Sequence, residues 1–370
     1  MKILIVTQHI FPMQTPRAHR GTELIKELVR KGHEVTVYAV LGSYDYSAFL
    51  KEFPITLKSV PVRFQWHPYS SDADGKRYLI DKILGRILGR KYFFPEIEFY
   101  YCLPKALATE VKHDYVISIA DPHSIHWGVA NFKKQYPEKF PAVWTADCGD
   151  PFMFAGKAAK HLQKFERYER MFCAACNYIT VPFEKAKEAY YEEYRSKIRA
   201  IPQGFNFDLS LVENRTPKPI NQIPRFAFAG MFINDIRNPQ LILEHLAQSA
   251  RQFVFEVFTP YTELLQPYMG RLANKLVIHR PIERQALLHQ LAQMDFVLNI
   301  ENLNSPTQLP SKLIDYAISG RPILSLNPQQ PDYDKIDRFL EGDYTGRFTV
   351  DVIENYHISN VADKFLELAK

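Results

Sequence analysis

Residues 2–40 read KILIVTQHIFPMQTPRAHRGTELIKELVRKGHEVTVYAV, and they decide the fold. Lys2–Thr7 (KILIVT) is an apolar, β-branched run of strand length. Thr22–Lys31 (TELIKELVRK) carries a helical apolar period and stops at Gly32, the usual residue just past a helix end. Glu34–Val40 (EVTVYAV) reads as a second strand. Strand, helix and strand in that order make a βαβ unit, which implies a parallel sheet covered by helices.

The alternation continues along the chain. Strands are predicted at Pro61–Gln65, Tyr115–Ala120, Ala142–Thr145, Tyr178–Val181 and Ile198–Ile201. Helices are predicted at Lys76–Arg90, Leu103–Val111, His126–Lys134, Lys157–Cys176 and Glu184–Tyr194. The Pro- and Asn-containing stretch Glu213–Pro224 (ENRTPKPINQIP) is the best linker in the chain. A second alternating run follows, with strands at Arg225–Ala229, Phe253–Phe258, Leu276–His279, Phe296–Ile300 and Pro322–Leu326. Its helices are Gln240–Ala250, Glu283–Ala292 and Ser311–Ser319, and a helix at Ser359–Lys370 closes the chain. The prediction is an α/β protein with two doubly wound, Rossmann-like domains: 1–202 and 225–350, joined by a hinge at 203–224 and followed by a helix at 351–370. Two such domains are expected to enclose a cleft lined by the loops after the strands.

Composition narrows the class. The 370 residues are 46% hydrophobic and 24% charged, so a disordered, collagenous or disulfide-stapled chain is excluded. With 46 basic against 41 acidic residues the net charge is +5, too balanced for a dedicated nucleic-acid binder. Four cysteines form no disulfide framework, and the opening residues lack a secretory signal, so a soluble cytoplasmic protein is expected. G-x-G-x-x-G, the P-loop, G-x-S-x-G and H-E-x-x-H are all absent. Cys173-Ala-Ala-Cys176 falls inside a predicted helix and reads as packing; His123 and His126 lack a third nearby ligand, so no metal site is expected.

Leu309–Leu324 (LPSKLIDYAISGRPIL) is the most informative segment. It reads as a helix entered through Pro310 and ended at Gly320. A helix start offers free N–H groups and a positive dipole end, a site for a diphosphate. Lys312 adds a full charge, and Asp315, three residues on, can accept hydrogen bonds from vicinal hydroxyls such as those of a ribose. On spacing alone, the two could equally be an ordinary solvated first turn.

This segment resembles the nucleotide-sugar helix of retaining, GT-B-fold glycosyltransferases (the family 4-like, group 1 type). The resemblance spans most of the chain in order: residues 2–40, SIADPHSIHWGVA and PAVWTADCGDPF within 118–152, IPQGFN at the hinge, and RFAFAGMFINDIRNP from Arg225. It implies that the second domain binds the donor, with Gly230 in the phosphate loop, Arg237 and Lys312 on the diphosphate, and Ser311 at the helix start. Arg237 can alternatively be a helix-entry charge beside Asn238 and Pro239. The family's E-x7-E pair falls on Thr307 and Asp315, so both positions depart from the pattern; Glu301 could supply the missing carboxylate. In the first domain the resemblance implies a donor-sugar contact from His123, an acceptor-orienting role for Asp147 and Asp150, and a phosphate contact from Arg20 in the loop that usually carries paired glycines. His123 also reads as a cap or packed side chain, and the two aspartates as turn residues.

The implied reaction is transfer of a sugar, of hexosyltransferase type, from a nucleotide-diphosphate sugar to a glycan or lipid-linked acceptor. The implied outcome is retention, with no metal or other cofactor. Two alternatives stand beside it: a nucleotide-sugar epimerase of related fold, and a degenerate nucleotide-sugar or glycan-binding protein. Finally, Lys76–Lys91 (KRYLIDKILGRILGRK) has six basic residues and one acidic, and leads into Tyr92–Phe94. A basic amphipathic helix with flanking aromatics over 76–94 suggests a peripheral contact with an anionic membrane; a helix with its apolar face in the core is the alternative.

Overall fold

A computed structural model describes residues 1–13, 15–64, 88–89, 91–207, 219–303, 311–350 and 352–370, without the side chain of Ser311. Thr307, Pro310 and most of the basic stretch 76–91 lie outside these residues. The chain forms two compact units: Met1–Asn206 together with Tyr356–Lys370, and Phe207–Asn355. It therefore passes from one to the other twice, and the C-terminal helix belongs to the first.

The sheet of the first unit contains β1 (Lys2–Thr7), β2 (Glu34–Ala39), β3 (Thr56–Ser59), β4 (Tyr115–Ile119), β5 (Val143–Asp147), β6 (Tyr178–Val181) and β7 (Ile198–Ala200). Their order is β3-β2-β1-β4-β5-β6-β7. Ile3 pairs in parallel with Val35 on one side and Tyr115 on the other. Helices cover both faces, which is why β1 from Ile3 on and all of β4 are buried and mostly apolar rather than alternating. The strand order reverses between β1 and β4, the place where loops splay apart and ligands enter such sheets.

Local departures from the sequence expectation have physical causes. The third strand lies at Thr56–Ser59, and the described part of the expected strand, 61–64, is not one; this edge strand (TLKS) is only partly buried and needs no apolar run. The helix α1 (Pro16–Arg30) starts well before Thr22: Thr15 caps it by accepting from the Ala18 N–H at 3.3 Å, with Pro16 at its first position. Short helices at Ser47–Glu52 (α2), Gln266–Leu272 and Tyr333–Leu340 were not foreseen. The long helix expected at 157–176 is broken into Lys160–Gln163 and Glu166–Ala175, and the one expected at 184–194 is a pair of 3₁₀ turns.

The early start of α1 puts Arg17 and Arg20 on a helix that faces the end of β5. There the buried Asp147 accepts four hydrogen bonds: from Arg17 Nη2 (2.5 Å), from Arg20 Nε (3.2 Å) and Nη2 (2.9 Å), and from Thr180 Oγ1 (2.7 Å). Arg20 also donates to the carbonyls of Ile201 and Pro202, where the chain leaves β7, and lies 5.1 Å from the ring of Phe365. Phe365 is on the C-terminal helix Ile358–Glu367, which Lys31 fastens to α1 through Asp363 at 2.9 Å. Glu98–Leu107 and Ser124–Gln135 cross so closely that a Cβ at Gly128 would stand 2.5 Å from the Phe99 carbonyl.

The second unit repeats the plan with β8 (Arg225–Ala229), β9 (Val254–Phe258), β10 (Leu276–His279), β11 (Phe296–Ile300) and β12 (Ile323–Leu326), in the order β10-β9-β8-β11-β12. Phe226 stacks between Phe255 and Phe296 with ring centroids 4.6 Å from each, a ladder that locks three neighbouring strands in register. The order reverses between β8 and β11.

Two stability outcomes follow. Gly128→Ala forces the two helices apart and costs about 1–3 kcal/mol, seen as a fall of several degrees in the unfolding midpoint. Arg20→Ala leaves Asp147 buried with one partner fewer and costs about 3–5 kcal/mol in denaturant titration. Burial alone would raise the Asp147 pKa, but Arg20 and then Arg17 hold it well below the usual carboxylate range. Its stabilisation is thus complete above the unfolded-state value of about 4 and is lost as the pH falls further, and Asp147→Asn flattens that acid limb.

Candidate functional site

In the second unit the strand reversal gathers the polar groups. Gly230 follows β8 with φ 135°, a conformation that side chains disfavour, and lets the chain turn away at the strand end. The loop then runs to Arg237, whose backbone N–H bonds the Ile233 carbonyl at 2.7 Å. Asn238 Oδ1 accepts from the Gln240 N–H at 2.9 Å just ahead of the helix Gln240–Gln248, whose N-cap is Pro239, and Arg237 itself is not part of the cap. Facing it is Lys312, on the first turn of the helix Ser311–Ile318. Tyr316 anchors this helix to the end of β8, accepting from the Ala229 N–H at 2.8 Å.

Lys312 and Arg237 form an uncompensated pair of cations. Lys312 Nζ donates to the Ile300 carbonyl at 3.2 Å and lies 5.0 Å from the Phe228 ring. Burial and the neighbouring Arg237 charge push its pKa down to about 7. Burial likewise lowers Arg237, whose Nε is enclosed without a hydrogen-bond partner. Among the described residues no carboxylate pairs with either. Two half-buried cations that repel each other are unfavourable in the empty protein and favourable once an anion sits between them.

Asp315 is differently placed from expectation. Arg284, at the start of the helix Arg284–Ala292, binds its Oδ1 through Nε (2.9 Å) and Nη2 (2.6 Å). Burial raises the Asp315 pKa and Arg284 opposes the rise. Sequence reasoning missed Arg284, since nothing local links it to a residue 31 positions on. Glu301 is exposed at the end of β11 and accepts from Ser325 Oγ at 2.9 Å. Thr307 and the side chain of Ser311 lie outside the described residues.

In the first unit, the loops after β1, β4 and β5 meet. Two expectations are corrected. Arg20 is buried, and its guanidinium is spent on Asp147 and the 201–202 carbonyls, so it does not face a phosphate. Asp147 has about four accepting positions and all are filled within the protein, which leaves none for an acceptor hydroxyl. It orders the site by aiming Arg17, whose Nε also bonds the Ala120 carbonyl. Asp150 is exposed on the loop beyond.

His123 precedes the helix Ser124–Gln135 and is buried, with its ring 5.4 Å from Phe152. Burial, then the Arg17 charge, lowers its pKa to about 3, so the imidazole is neutral; its Nε2 has no hydrogen-bond partner. His126 is committed elsewhere, 2.8 Å from Ser118 Oγ and 3.4 Å from Cys148 Sγ. Beside these loops is a pocket of about 340 Å³ that includes Gln8, Glu96, Asp121 and His161. Burial raises the pKa of Glu96 and of Asp121; at Asp121 the Arg17 charge opposes the rise. Neither residue was singled out from sequence; Asp121 sits two positions before His123 and could have been. The described residues contain no cluster of three metal-ligating side chains.

Comparison with known proteins bears on this geometry. The chain is similar to the apo structure of the lipopolysaccharide outer core galactosyltransferase WaaB, at 13% identity and a TM-score of 0.58, over 100% of this chain and 99% of that one. It is similar to HepE of Anabaena in complex with UDP, at 10% identity and a TM-score of 0.58, over 99% of each chain. A glycosyltransferase from Rickettsia africae matches at 13% identity and a TM-score of 0.57, over 100% of this chain and 98% of that one. No curated protein matches the chain by sequence. The likeness establishes the GT-B fold, two Rossmann-like units, each with a parallel sheet. The sequence profile described as Glycosyltransferase Family 4 matches residues 21–209, more than half of the chain, and the protein belongs to that family.

Proposed function

We propose that the protein transfers a hexose from a nucleoside diphosphate sugar to a hydroxyl of a glycan or lipid-linked glycan, with retention at the anomeric carbon. The observation that carries this reading is the facing pair Lys312 and Arg237, which lacks any counter-charge among the described residues. A diphosphate supplies that charge. Gly230 leaves the backbone after β8 open to a phosphate, and the start of the helix Ser311–Ile318 adds N–H groups. That HepE was obtained with UDP makes the uridine donor the first to try.

The chemistry uses this arrangement directly. The bond from the anomeric carbon to the diphosphate oxygen breaks, and its electron pair leaves with the diphosphate. Lys312 and Arg237 stabilise the negative charge that develops there, in a half-buried place where charge interactions are strong. The acceptor oxygen bonds the same face of the carbon, and its proton passes to the departing diphosphate oxygen. His123, neutral and with Nε2 unpartnered, can hydrogen-bond a sugar hydroxyl without adding charge. Arg17, aimed by Asp147, and exposed Asp150 bind or orient groups around the acceptor. With two side-chain cations on the leaving group, no divalent metal is needed, and EDTA is expected to leave the rate unchanged.

Calorimetry with UDP, GDP, ADP and dTDP tests the donor site. One of them binds the wild type, and Lys312→Ala and Arg237→Ala each weaken it roughly tenfold to a hundredfold, the range for a lost charge-assisted hydrogen bond. Absence of binding by all four at millimolar concentration contradicts the reading. Incubation of the matching sugar nucleotide with acceptor, followed by NMR of the new linkage, tests transfer and retention. A changed sugar nucleotide formed without acceptor would instead mark an epimerase.

A further inference from the structure

Glu169 is a buried carboxyl that the proposed reaction does not use. It lies on the helix Glu166–Ala175, 1% exposed, and its Oε1 accepts from the Met153 N–H at 3.2 Å. Its Oε2 is enclosed without a hydrogen-bond partner among the described residues. Met153 is the pivot of the loop after β5: its carbonyl accepts from the Gly156 N–H at 2.9 Å and from the Ala158 N–H at 3.0 Å. Across these bonds three successive residues are left-handed, Phe154 (φ 48°), Ala155 (φ 52°) and Gly156 (φ 88°). Two of the three carry a side chain and are strained in that conformation, so the loop needs anchors to keep its shape. One residue before the pivot, Phe152 packs edge-on to Trp127 at 5.2 Å and lies 5.4 Å from His123. The Asp150 backbone faces the same imidazole, where it opposes the fall in pKa.

We propose that Glu169 is a positioning residue for this loop: by bonding the Met153 amide as a neutral acid it holds Phe152 and the Asp150 backbone against His123, and ionisation of the carboxyl releases them. An ionised Glu169 finds little compensation. Glu166, Arg170 and Cys173 face it from its own helix, and Tyr190 and Tyr191 from between the two 3₁₀ turns that follow β6. Arg170 is the one cation among these groups, and it is already paired with Glu166 and Glu193. Burial pushes the Glu169 carboxyl up to about 7; the Met153 and Phe152 amides oppose the rise, Glu166 adds to it and Arg170 opposes it. In an opened loop the same carboxyl titrates near its ordinary value of about 4.3. The closed loop therefore holds the proton more tightly, and the stability it gains from this group is complete below about pH 4 and lost as the pH rises through about 7. The latch is a property of the first unit alone; that it sets His123 for a sugar hydroxyl rests on the proposed reaction.

Amide exchange followed by mass spectrometry from about pH 5 to about pH 8.5, corrected for the base catalysis of exchange itself, tests the latch. In the wild type, protection of residues 152–158 falls roughly tenfold to a hundredfold across that range, while the helix Ser124–Gln135 keeps its protection. Glu169→Gln, neutral and of the same shape, keeps the low-pH protection and shows no fall. Glu169→Asp, one methylene short of the Met153 amide, loses about tenfold in protection already at about pH 5, and it carries the test should the glutamine variant not fold. No fall in the wild type, an equal fall in the helix, the same fall in Glu169→Gln, or wild-type protection in Glu169→Asp overturns the latch. In a transfer assay at saturating donor, where the diphosphate has restored the proton on Lys312, kcat declines on the alkaline side in the wild type and not in Glu169→Gln. The same decline in both overturns the positioning role. Exchange needs no transferase activity, so the latch and the proposed reaction fail separately.

Discussion

The first unit depends on one carboxylate. Asp147 ends β5 in a fully buried position, where an unpaired charge is prohibitively unstable. Arg17, Arg20 and Thr180 together fill every accepting position it has. Because Arg20 continues to the carbonyls of residues 201 and 202 and to the ring of Phe365, the same contact ties the first helix, the exit from the last strand and the C-terminal helix into one body. The loops after β1, β4 and β5 are thereby held in place around His123 and Asp150, and Arg17 is given its direction.

The second unit uses the same kinds of side chain to the opposite end. Arg20 is buried and fully partnered, so its charge is neutralised inside the protein and acts only in holding the fold. Arg237 and Lys312 are half-buried, burial and then the Arg237 charge lower Lys312 toward neutrality, and among the described residues no acid lies beside them. Counting partners, rather than counting cations, separates an arginine that builds the protein from one that waits for a ligand. On that count Lys312 and Arg237 are the cations we propose for the donor diphosphate, and Arg20 of α1 does not join them.

Much of the architecture was legible because parallel strands buried on both faces are continuous apolar runs, as in KILIVT, YVISI and FVLNI. The edge strand at Thr56–Ser59 was not, since one partly exposed turn of the ladder carries no such run. The start of α1 was hidden behind Pro12 and Pro16, which read as loop although Pro16 is the first helical residue. At the candidate site the local pattern SKLID exposed Lys312, and the family resemblance led to Arg237. Partners far apart in sequence were invisible: Arg20 with Asp147, and Arg284 with Asp315. These long-range pairs are what reassigned Arg20 and Asp147 from ligand contacts to positioning roles.

The central claim is that the facing cations of the second unit are completed by a bound diphosphate, and proton uptake on binding tests it most directly. In the empty site Lys312 titrates near 7, so at about pH 8 it is mostly neutral; a diphosphate beside it restores the proton. Calorimetry in buffers of different ionisation enthalpy should show uptake approaching one proton per nucleotide at about pH 8, falling toward zero at about pH 6, and none at either pH in Lys312→Ala. Binding with no uptake by the wild type, or with the same uptake by the variant, would contradict the account.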